Sequence, residues 1–334
     1  MKNVLVTGAN GHVGFMLVKA LKEKGYRVRG TVRNLADAAK SRHLSDLNIE
    51  LVEADLMQPE SLKPAMLGMD GLFQVAAVYK TMAADPQKEI IDPSVTGGLN
   101  ALKAAHEAGV KKVVFTSSVA AIGSDAPPEK PLTENDWNDG AVNPYFIAKT
   151  QAEKKAWEFS KTSGLKLVVI NPVAIIGPGF YRHTPSTVAF EQVIRGQMPL
   201  CLPMGYSLVD VRDVVAAHIM AYENEQASGR YLVTDQYFEM IELLKRLKNI
   251  DPSLKIPSIV LPQFMLGMVP LMDWLNSKFT GAARQASRDM VQEMGGRSQR
   301  ASSEKIRKEL GWTTIPTDQS LKDTLEWTRQ TFVK

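Results

Sequence analysis

Residues 143–149 read Asn-Pro-Tyr-Phe-Ile-Ala-Lys. Pro144 suits the first turn of a helix, which sets Tyr145 and Lys149, four residues apart, on one helix face. A phenol ordinarily titrates near ~10. A lysine cation a few ångströms away favours the phenolate and lowers that value, so Tyr145 could exchange a proton with a bound oxygen near neutral pH. Upstream, an apolar run ends in Ser117-Ser118, and a serine hydroxyl there could hold the same oxygen. On its own, a Tyr-x-x-x-Lys pair is common and equally suits a solvated helix surface.

A second group of residues lies near the start of the chain. Val4 to Gly14 read Val-Leu-Val-Thr-Gly-Ala-Asn-Gly-His-Val-Gly, a short apolar run followed by three glycines and an apolar-periodic helix. A strand, a tight turn and a helix N-terminus in that order suit a pyrophosphate, because the first N–H groups of the helix have no partner within it. In this reading Gly8 permits the turn, Gly11 lets the backbone approach the phosphates, and Gly14 lets the helix pack on the sheet. A protein selective for NAD places an acid about 20 residues past such a loop, on the ribose hydroxyl. Here the second strand ends Gly30-Thr31-Val32-Arg33-Asn34, with no acid between Tyr26 and Ala36. Arg33 stands where the adenosine ribose would lie, and a guanidinium binds a 2′-phosphate through two parallel hydrogen bonds. Lys40 could add a second positive charge. We read the missing acid and Arg33 together as selecting NADP. Asp55, after the third strand, could accept a hydrogen bond from the adenine amino group or cap the helix entered at Pro59. The small side chains of Ala76 and Ala77 would let a flat nucleotide lie close to the fourth strand's end.

The elements that must position these residues follow from periodicity. Strands are expected over 4–7, 27–32, 49–53, 72–75, 112–117 and 166–170, and helices over 12–24, 36–44, 59–67, 92–108 and 144–162. Regular alternation of this kind implies right-handed βαβ units and an α/β fold, a doubly wound parallel sheet of Rossmann type. After about Gly177 the pattern loosens. We expect a nucleotide-binding domain over 1–176, rejoined at about 207–235, and a smaller, mostly helical lobe from 177–206 and 236–334 over the sheet's carboxyl edge, where ligands of open α/β sheets bind.

Composition narrows the function classes. The 334 residues are 44% hydrophobic and 23% charged, as in an ordinary water-soluble protein. Forty Lys plus Arg against 36 Asp plus Glu leave a net charge of only +4, spread along the chain, which makes no case for nucleic acid as a partner. The single cysteine, Cys201, excludes an internal disulfide and a cysteine-based metal site, reads as a small buried apolar residue, and fits a reducing cytoplasm. The first residues do not have the form of a signal peptide. The stretch 256–275 is apolar and about as long as a membrane span. Pro257, Pro262, Pro270 and Asp273 interrupt it, so a buried or pocket-lining helix pair is expected instead.

The glycine loop, the Ser-Ser strand end and the Tyr/Lys pair in this order resemble the short-chain dehydrogenase/reductase superfamily in its extended branch. Thr7 to Gly14 follow that branch's Thr-Gly-x-x-Gly-x-x-Gly loop. Within it the chain is most similar to the dihydroflavonol reductase and cinnamoyl-CoA reductase group, with its bacterial and fungal aldehyde and ketone reductases. Residues 30–34, Asn171-Pro172 with Gly177-Pro178-Gly179, Val209-Asp210-Val211-Arg212-Asp213-Val214, and 305–312 ending Leu310-Gly311-Trp312 all match signatures of that group. The resemblance implies a catalytic set of Ser118, Tyr145 and Lys149, with Ser117 as the alternative serine. It implies NADP held by Gly8, Asn10, Gly11, His12, Val13, Gly14, Arg33, Lys40, Asp55, Leu56, Ala76, Ala77, Thr96, Tyr145, Lys149 and Pro172. Thr96 and Asn100 lie on the helix that helps order an active-site water in the family. Two departures stand out. Gln74 replaces a histidine common in the group, and the loop 122–136 shows no assignable match to the plant enzymes' substrate-gripping residues, which counts against a flavonoid substrate.

The implied reaction is reversible hydride transfer between a nicotinamide and a small-molecule carbonyl or alcohol, by a monomer or homodimer. An apolar lobe including Ile175, Ile176, Phe180, Tyr181, Met204 and Phe264 would shield the site, or would simply be core. A nucleotide-sugar epimerase or dehydratase shares the fold and the Tyr/Lys pair, but keeps NAD and an acid at the second strand. A hydroxysteroid dehydrogenase is another neighbour, kept open by the apolar 256–275 stretch. A non-catalytic NADP-binding regulator would lack the Tyr or Lys.

Overall fold

The computed structural model describes residues 2–333 other than 79, 81, 199, 282, 283 and 285, with the backbone only at 38–40, 185 and 280. In chain order the first half runs β1 (Asn3–Val6), α1 (His12–Glu23), β2 (Arg27–Val32), α2 (Ala38–Ser45), β3 (Glu50–Glu53), α3 (Pro59–Met66), β4 (Gly71–Gln74), α4 (Asp92–Glu107), β5 (Lys112–Thr116), α5 (Pro144–Ser163) and β6 (Lys166–Pro172). The second half runs β7 (Ala174–Ile176), α6 (Pro185–Ile194), β8 (Gly205–Asp210), α7 (Val211–Glu223), β9 (Gly229–Val233), β10 (Gln236–Glu239), α8 (Met240–Ile250), α9 (Val269–Thr280), α10 (Arg288–Met294), β11 (Ser298–Gln299), α11 (Glu304–Leu310) and α12 (Thr317–Phe332).

Seven strands form one sheet in the order β3-β2-β1-β4-β5-β6-β9, and every described pairing in it is parallel. Strands covered on both faces read as unbroken apolar runs, and β1 shows why. Val4 and Val6 enter the core shared with Leu17, Val18 and Val214, while Leu5 enters the opposite core with Leu72, Leu102 and Val113. The sequence-based boundaries agree with these elements to within about two residues. β6 runs on to Pro172 because β9 pairs with it as far as Pro172 and Val233.

The lobe contains a small sheet that periodicity did not reveal. β8 pairs parallel with β7 and β11 and antiparallel with β10. The segment expected to rejoin the main sheet from about 207 therefore divides. β8 belongs to the second sheet, whereas β9 completes the first. The physical reason is that β8 serves two cores at once: Leu208 packs with Phe190, Leu243 and Leu321 in the lobe, and Val209 packs with the main core.

Two of the sequence signatures bind each other. Asp210 caps α7 by accepting from the Arg212 amide at 2.8 Å. Arg212 also reaches Asp323 on α12 at 2.7 Å. The indole N–H of the fully buried Trp312 donates to the Asp213 carbonyl at 2.9 Å, and the Asp213 carboxylate accepts from the Ile315 amide at 3.1 Å. These bonds fasten the C-terminal helices to α7. Burial in this position makes the Asp213 carboxyl a weaker acid, pushing its pKa up to about 7.

The 256–275 stretch corrects an expectation. It forms a 3-10 turn, Gln263–Met268, and the first half of α9. Pro262 and Pro270 open these two segments rather than break a longer one. Most of its large side chains are exposed, not buried. Among the described residues no helix is long and apolar enough to cross a membrane.

Candidate active site

The loop after β1 is held by a side-chain network around Thr7. Its hydroxyl donates to Gln74 Oε1 at 2.8 Å and accepts from the amides of Val75 and Ala76 at 3.0 and 3.1 Å. Gln74 donates in turn to the Ala76 carbonyl at 2.9 Å. Gln74 thus links the ends of β1 and β4. Gly8 adopts φ +65°, and a Cβ there would lie 2.9 Å from the Ala76 Cα. A Cβ at Gly14 would collide with the Gly8 carbonyl oxygen. Both positions therefore require glycine. Gly11 is the N-cap of α1 and is exposed, with no side-chain capping bond and no acid in the first turn. The first amides of a twelve-residue helix are thus left for an anion.

Asn10, half-buried, and Val13 lie in the same turn. His12 opens α1, and its Nε2–H donates to the Pro178 carbonyl at 3.0 Å. Burial lowers its pKa to about 4, so the ring is neutral. His12 thereby ties the glycine loop to the Gly177-Pro178-Gly179 turn beyond β7.

Thr31 binds the loop from β2: its carbonyl accepts from Ala9 at 3.0 Å, and its hydroxyl accepts from the Gly8 amide at 3.3 Å. Arg33, two residues on, is exposed and makes no hydrogen bond or ion pair with the described residues. The turn after it is fixed by Asn34, which accepts from Ala36, and by Glu53, which accepts from Leu35. The side chain of Lys40 lies outside the described residues. Asp55 accepts from the Met57 amide at 2.9 Å, a local turn ahead of α3; the N-cap of α3 is Gln58. Leu56 presses on Gly97, and its carbonyl accepts from Asn100 at 2.8 Å. The Asn100 amide is therefore committed to the backbone. Thr96 and Ala77 are exposed, Ala76 is half-buried, and Pro172 is buried at the end of β6.

The end of β5 distinguishes the two serines. Thr116 donates to His218 Nε2 at 2.8 Å, while His218 Nδ1–H donates to the Val214 carbonyl at 2.7 Å. The carbonyl can only accept, which sets the tautomer. Ser117 is buried, and its hydroxyl has no partner among the described residues. Ser118 is half-buried and caps the 3-10 turn Val119–Ala121, its Oγ accepting from the Ala120 amide at 3.1 Å. A hydroxyl that accepts there still has its proton to donate.

Asn143 caps α5, accepting from the Tyr145 amide at 3.0 Å. Lys149 Nζ lies 5.9 Å from the centre of the Tyr145 ring. Burial lowers the Lys149 pKa to about 8, against the opposing pull of the Glu153 carboxylate one turn on. Tyr145 packs, along with Met204, Tyr206 and Met290, against a small buried cluster of Ala120, Phe146 and Met294. Of the other lobe residues singled out, Ile176 and Phe180 are core, while Tyr181 and Phe264 are exposed.

Two buried carboxylates were not foreseen. Glu153 accepts from Arg230 Nε at 2.6 Å, from Asn171 at 2.7 Å and from the Trp157 indole at 3.3 Å. Asn171 also donates to the Ser118 carbonyl at 3.2 Å. Arg230 reaches the carbonyls of Glu134 and Asp136 and lies 3.7 Å over the Trp137 ring. Glu293, on α10, accepts from the amides of Val142 and Asn143 at 2.7 and 3.0 Å and from the Asn138 side chain at 3.2 Å. Glu153 sits four residues past Lys149, a spacing that could have drawn notice. Glu293 carries no local signal, because its partners lie some 150 residues earlier in the chain.

The chain as a whole is similar to known proteins. Residues 4–233 match the family model for the NAD dependent epimerase/dehydratase family. Cinnamoyl-CoA reductase 1 from Petunia hybrida is 38% identical over 76% of this chain and 79% of its own length. The crystal structure of gox2253 superposes with a TM-score of 0.82 at 29% identity, covering 99% of both chains. That of Gre2 from Candida albicans, in complex with NADPH, gives 0.78 at 28% identity, covering 99% of this chain and 100% of Gre2.

Removing one partner of a buried ion pair leaves an uncompensated charge, at a cost of about 3–5 kcal/mol. Glu153→Ala should lower the free energy of urea unfolding by about that amount, and Glu153→Met combined with Arg230→Met should lose well under the sum of the two single changes. Additive losses would show that the two side chains are not energetically coupled.

Proposed function

Because this chain belongs to the NAD dependent epimerase/dehydratase family, in the extended branch of the short-chain dehydrogenases/reductases, we propose that it is an NADPH-dependent carbonyl reductase, reversibly converting a hydrophobic or aromatic aldehyde or ketone to an alcohol. The observation that carries this reading is the pairing of Tyr145 with a desolvated Lys149 on the first turns of α5.

The residues present fit the cofactor. Its pyrophosphate would lie on the uncapped N-terminus of α1, against a glycine turn that side chains would fill. Arg33 would bind the 2′-phosphate, with Lys40 beside it, in a region where the NAD-selecting acid is missing. The NADPH in the Gre2 complex supports the same choice. Asp55, Leu56, Ala76, Ala77, Thr96 and Pro172 would border the nucleotide. When bound, the nicotinamide supplies the hydride at its C4.

The chain's own part is position and proton. Tyr145 donates its phenolic proton to the substrate oxygen as that oxygen gains negative charge. The Ser118 hydroxyl, whose oxygen already accepts from Ala120, donates to the same oxygen and stabilises the developing charge. The Lys149 cation favours the phenolate left on Tyr145. With its pKa lowered to about 8, Lys149 loses that charge as pH rises through 8, so its support is strongest below this value. The thioethers of Met204, Met290 and Met294 give apolar, adaptable walls suited to hydrophobic substrates of varied shape.

Two substitutions test the assignments. Tyr145→Phe should reduce NADPH oxidation with a hydrophobic aldehyde by roughly 10²–10⁴-fold while leaving NADPH binding, followed by its fluorescence, intact; wild-type turnover would refute the proton-donor role. Arg33→Asp should cut the NADPH-over-NADH preference in kcat/KM by roughly tenfold or more, the worth of a charge-assisted hydrogen bond. An unchanged preference would remove Arg33 from cofactor selection.

A further inference from the structure

Helix α9 is amphipathic in the reverse sense. A surface helix ordinarily turns its apolar stripe to its own core. Here Pro270, Asp273 and Ser277, spaced at i, i+3 and i+7, form the least exposed face, while Leu271, Met272, Leu275 and Phe279 point outward. With Met268, these follow the i, i+3, i+4, i+7, i+11 pattern of one helix face, and Phe264 extends the patch into the preceding turn. Phe264 is 88% exposed, Phe279 82% and Leu271 57%. Isolated exposed apolar residues need no explanation, but a continuous stripe does.

The amount of surface says what kind of partner covers it. At roughly 200 Å² for a large side chain, the six residues expose on the order of 700 Å², against the ~300–600 Å² of the largest patch on a typical monomer. A stable interface takes ~800 Å² from each partner, somewhat more than half of it apolar. The stripe supplies that apolar share. Its charge says what the partner is not. Asp273 is paired with Arg284 at 3.2 Å on the inner side, and Lys278 lies over the Trp274 ring at 5.1 Å. The stripe itself is neutral, whereas helices that lie on anionic membranes carry a lysine- and arginine-rich polar face. A neutral, self-complementary stripe on one helix suits a twofold pairing with the same helix of another copy.

We propose that this face is the contact between two copies of the chain, with α9 packed on α9 of a second molecule. Sedimentation velocity of the full-length protein should show a dimer in the micromolar range. Leu271→Glu with Phe279→Glu should weaken it about a hundredfold, while Leu67→Glu, an equally exposed position remote in sequence from the stripe, should leave it intact. The melting temperature of the diluted monomer should not fall, since both stripe positions are exposed. Met272→Cys should oxidise to a covalent dimer, and the wild type should not, because Cys201 is buried. A wild type that stays monomeric at high micromolar concentration overturns the proposal, as does a dimer indifferent to the double substitution. Pelleting of a monomeric wild type with phosphatidylcholine/phosphatidylserine vesicles, abolished by the same substitutions, overturns it in favour of a lipid surface.

Discussion

The carboxylate of Glu153 lies wholly out of water, and three separate parts of the chain are fixed by their bonds to it. It belongs to α5, one turn beyond Lys149. Through Arg230 it holds β9 and the loop at Glu134 and Asp136; through Asn171 it holds the end of β6 and the carbonyl of Ser118. A buried charge is costly unless its lone pairs are met, and here three donors meet them. The result is that the serine at the end of β5 and the tyrosine at the start of α5 are referred to one internal anchor. The same anion favours the Lys149 cation, opposing the larger lowering of its pKa by burial.

The second anchor comes from the lobe. Glu293 binds the backbone at Val142 and Asn143, and Asn143 caps the turn that carries Tyr145. The start of α5 is therefore held from outside by α10 and from inside by Glu153. The lobe in turn is tied to the main sheet by Trp312, Asp213 and Arg212. The same short helix, α10, also carries Met290 and Met294 of the apolar cluster that Tyr145 packs on. Two buried carboxylates on opposite sides thus fix the start of α5.

Much of this architecture could be read directly from residue patterns, because the relevant physics is local. The glycine loop, the βαβ alternation and the Tyr/Lys spacing each depend on neighbours within a few residues, and their elements appear within about two residues of the expected bounds. Gly30 shows where local reading stops. Its place in the second strand was plain, but a Cβ there would lie 2.8 Å from the Ala9 side chain, a constraint visible only once the strand meets the loop. The small sheet of β7, β8, β10 and β11 escaped for the same reason, since β8 finds one partner some ninety residues away. Asn100 likewise donates to the Leu56 carbonyl, 44 residues earlier, a bond that no local pattern announces. The 256–275 stretch misled because composition records how apolar a segment is and not which way its side chains point.

The central claim is that a hydride passes from the nicotinamide C4 to a carbonyl carbon in a site built by Ser118, Tyr145 and Lys149. It is tested most directly by turning over a hydrophobic aldehyde with NADPH deuterated at C4 and examining the alcohol by mass spectrometry. The account predicts an alcohol carrying a single deuterium on the former carbonyl carbon when one C4 face is labelled, and none when the other is. An alcohol without deuterium from either labelled form, or no alcohol at all across a panel of aldehydes and ketones, would contradict it.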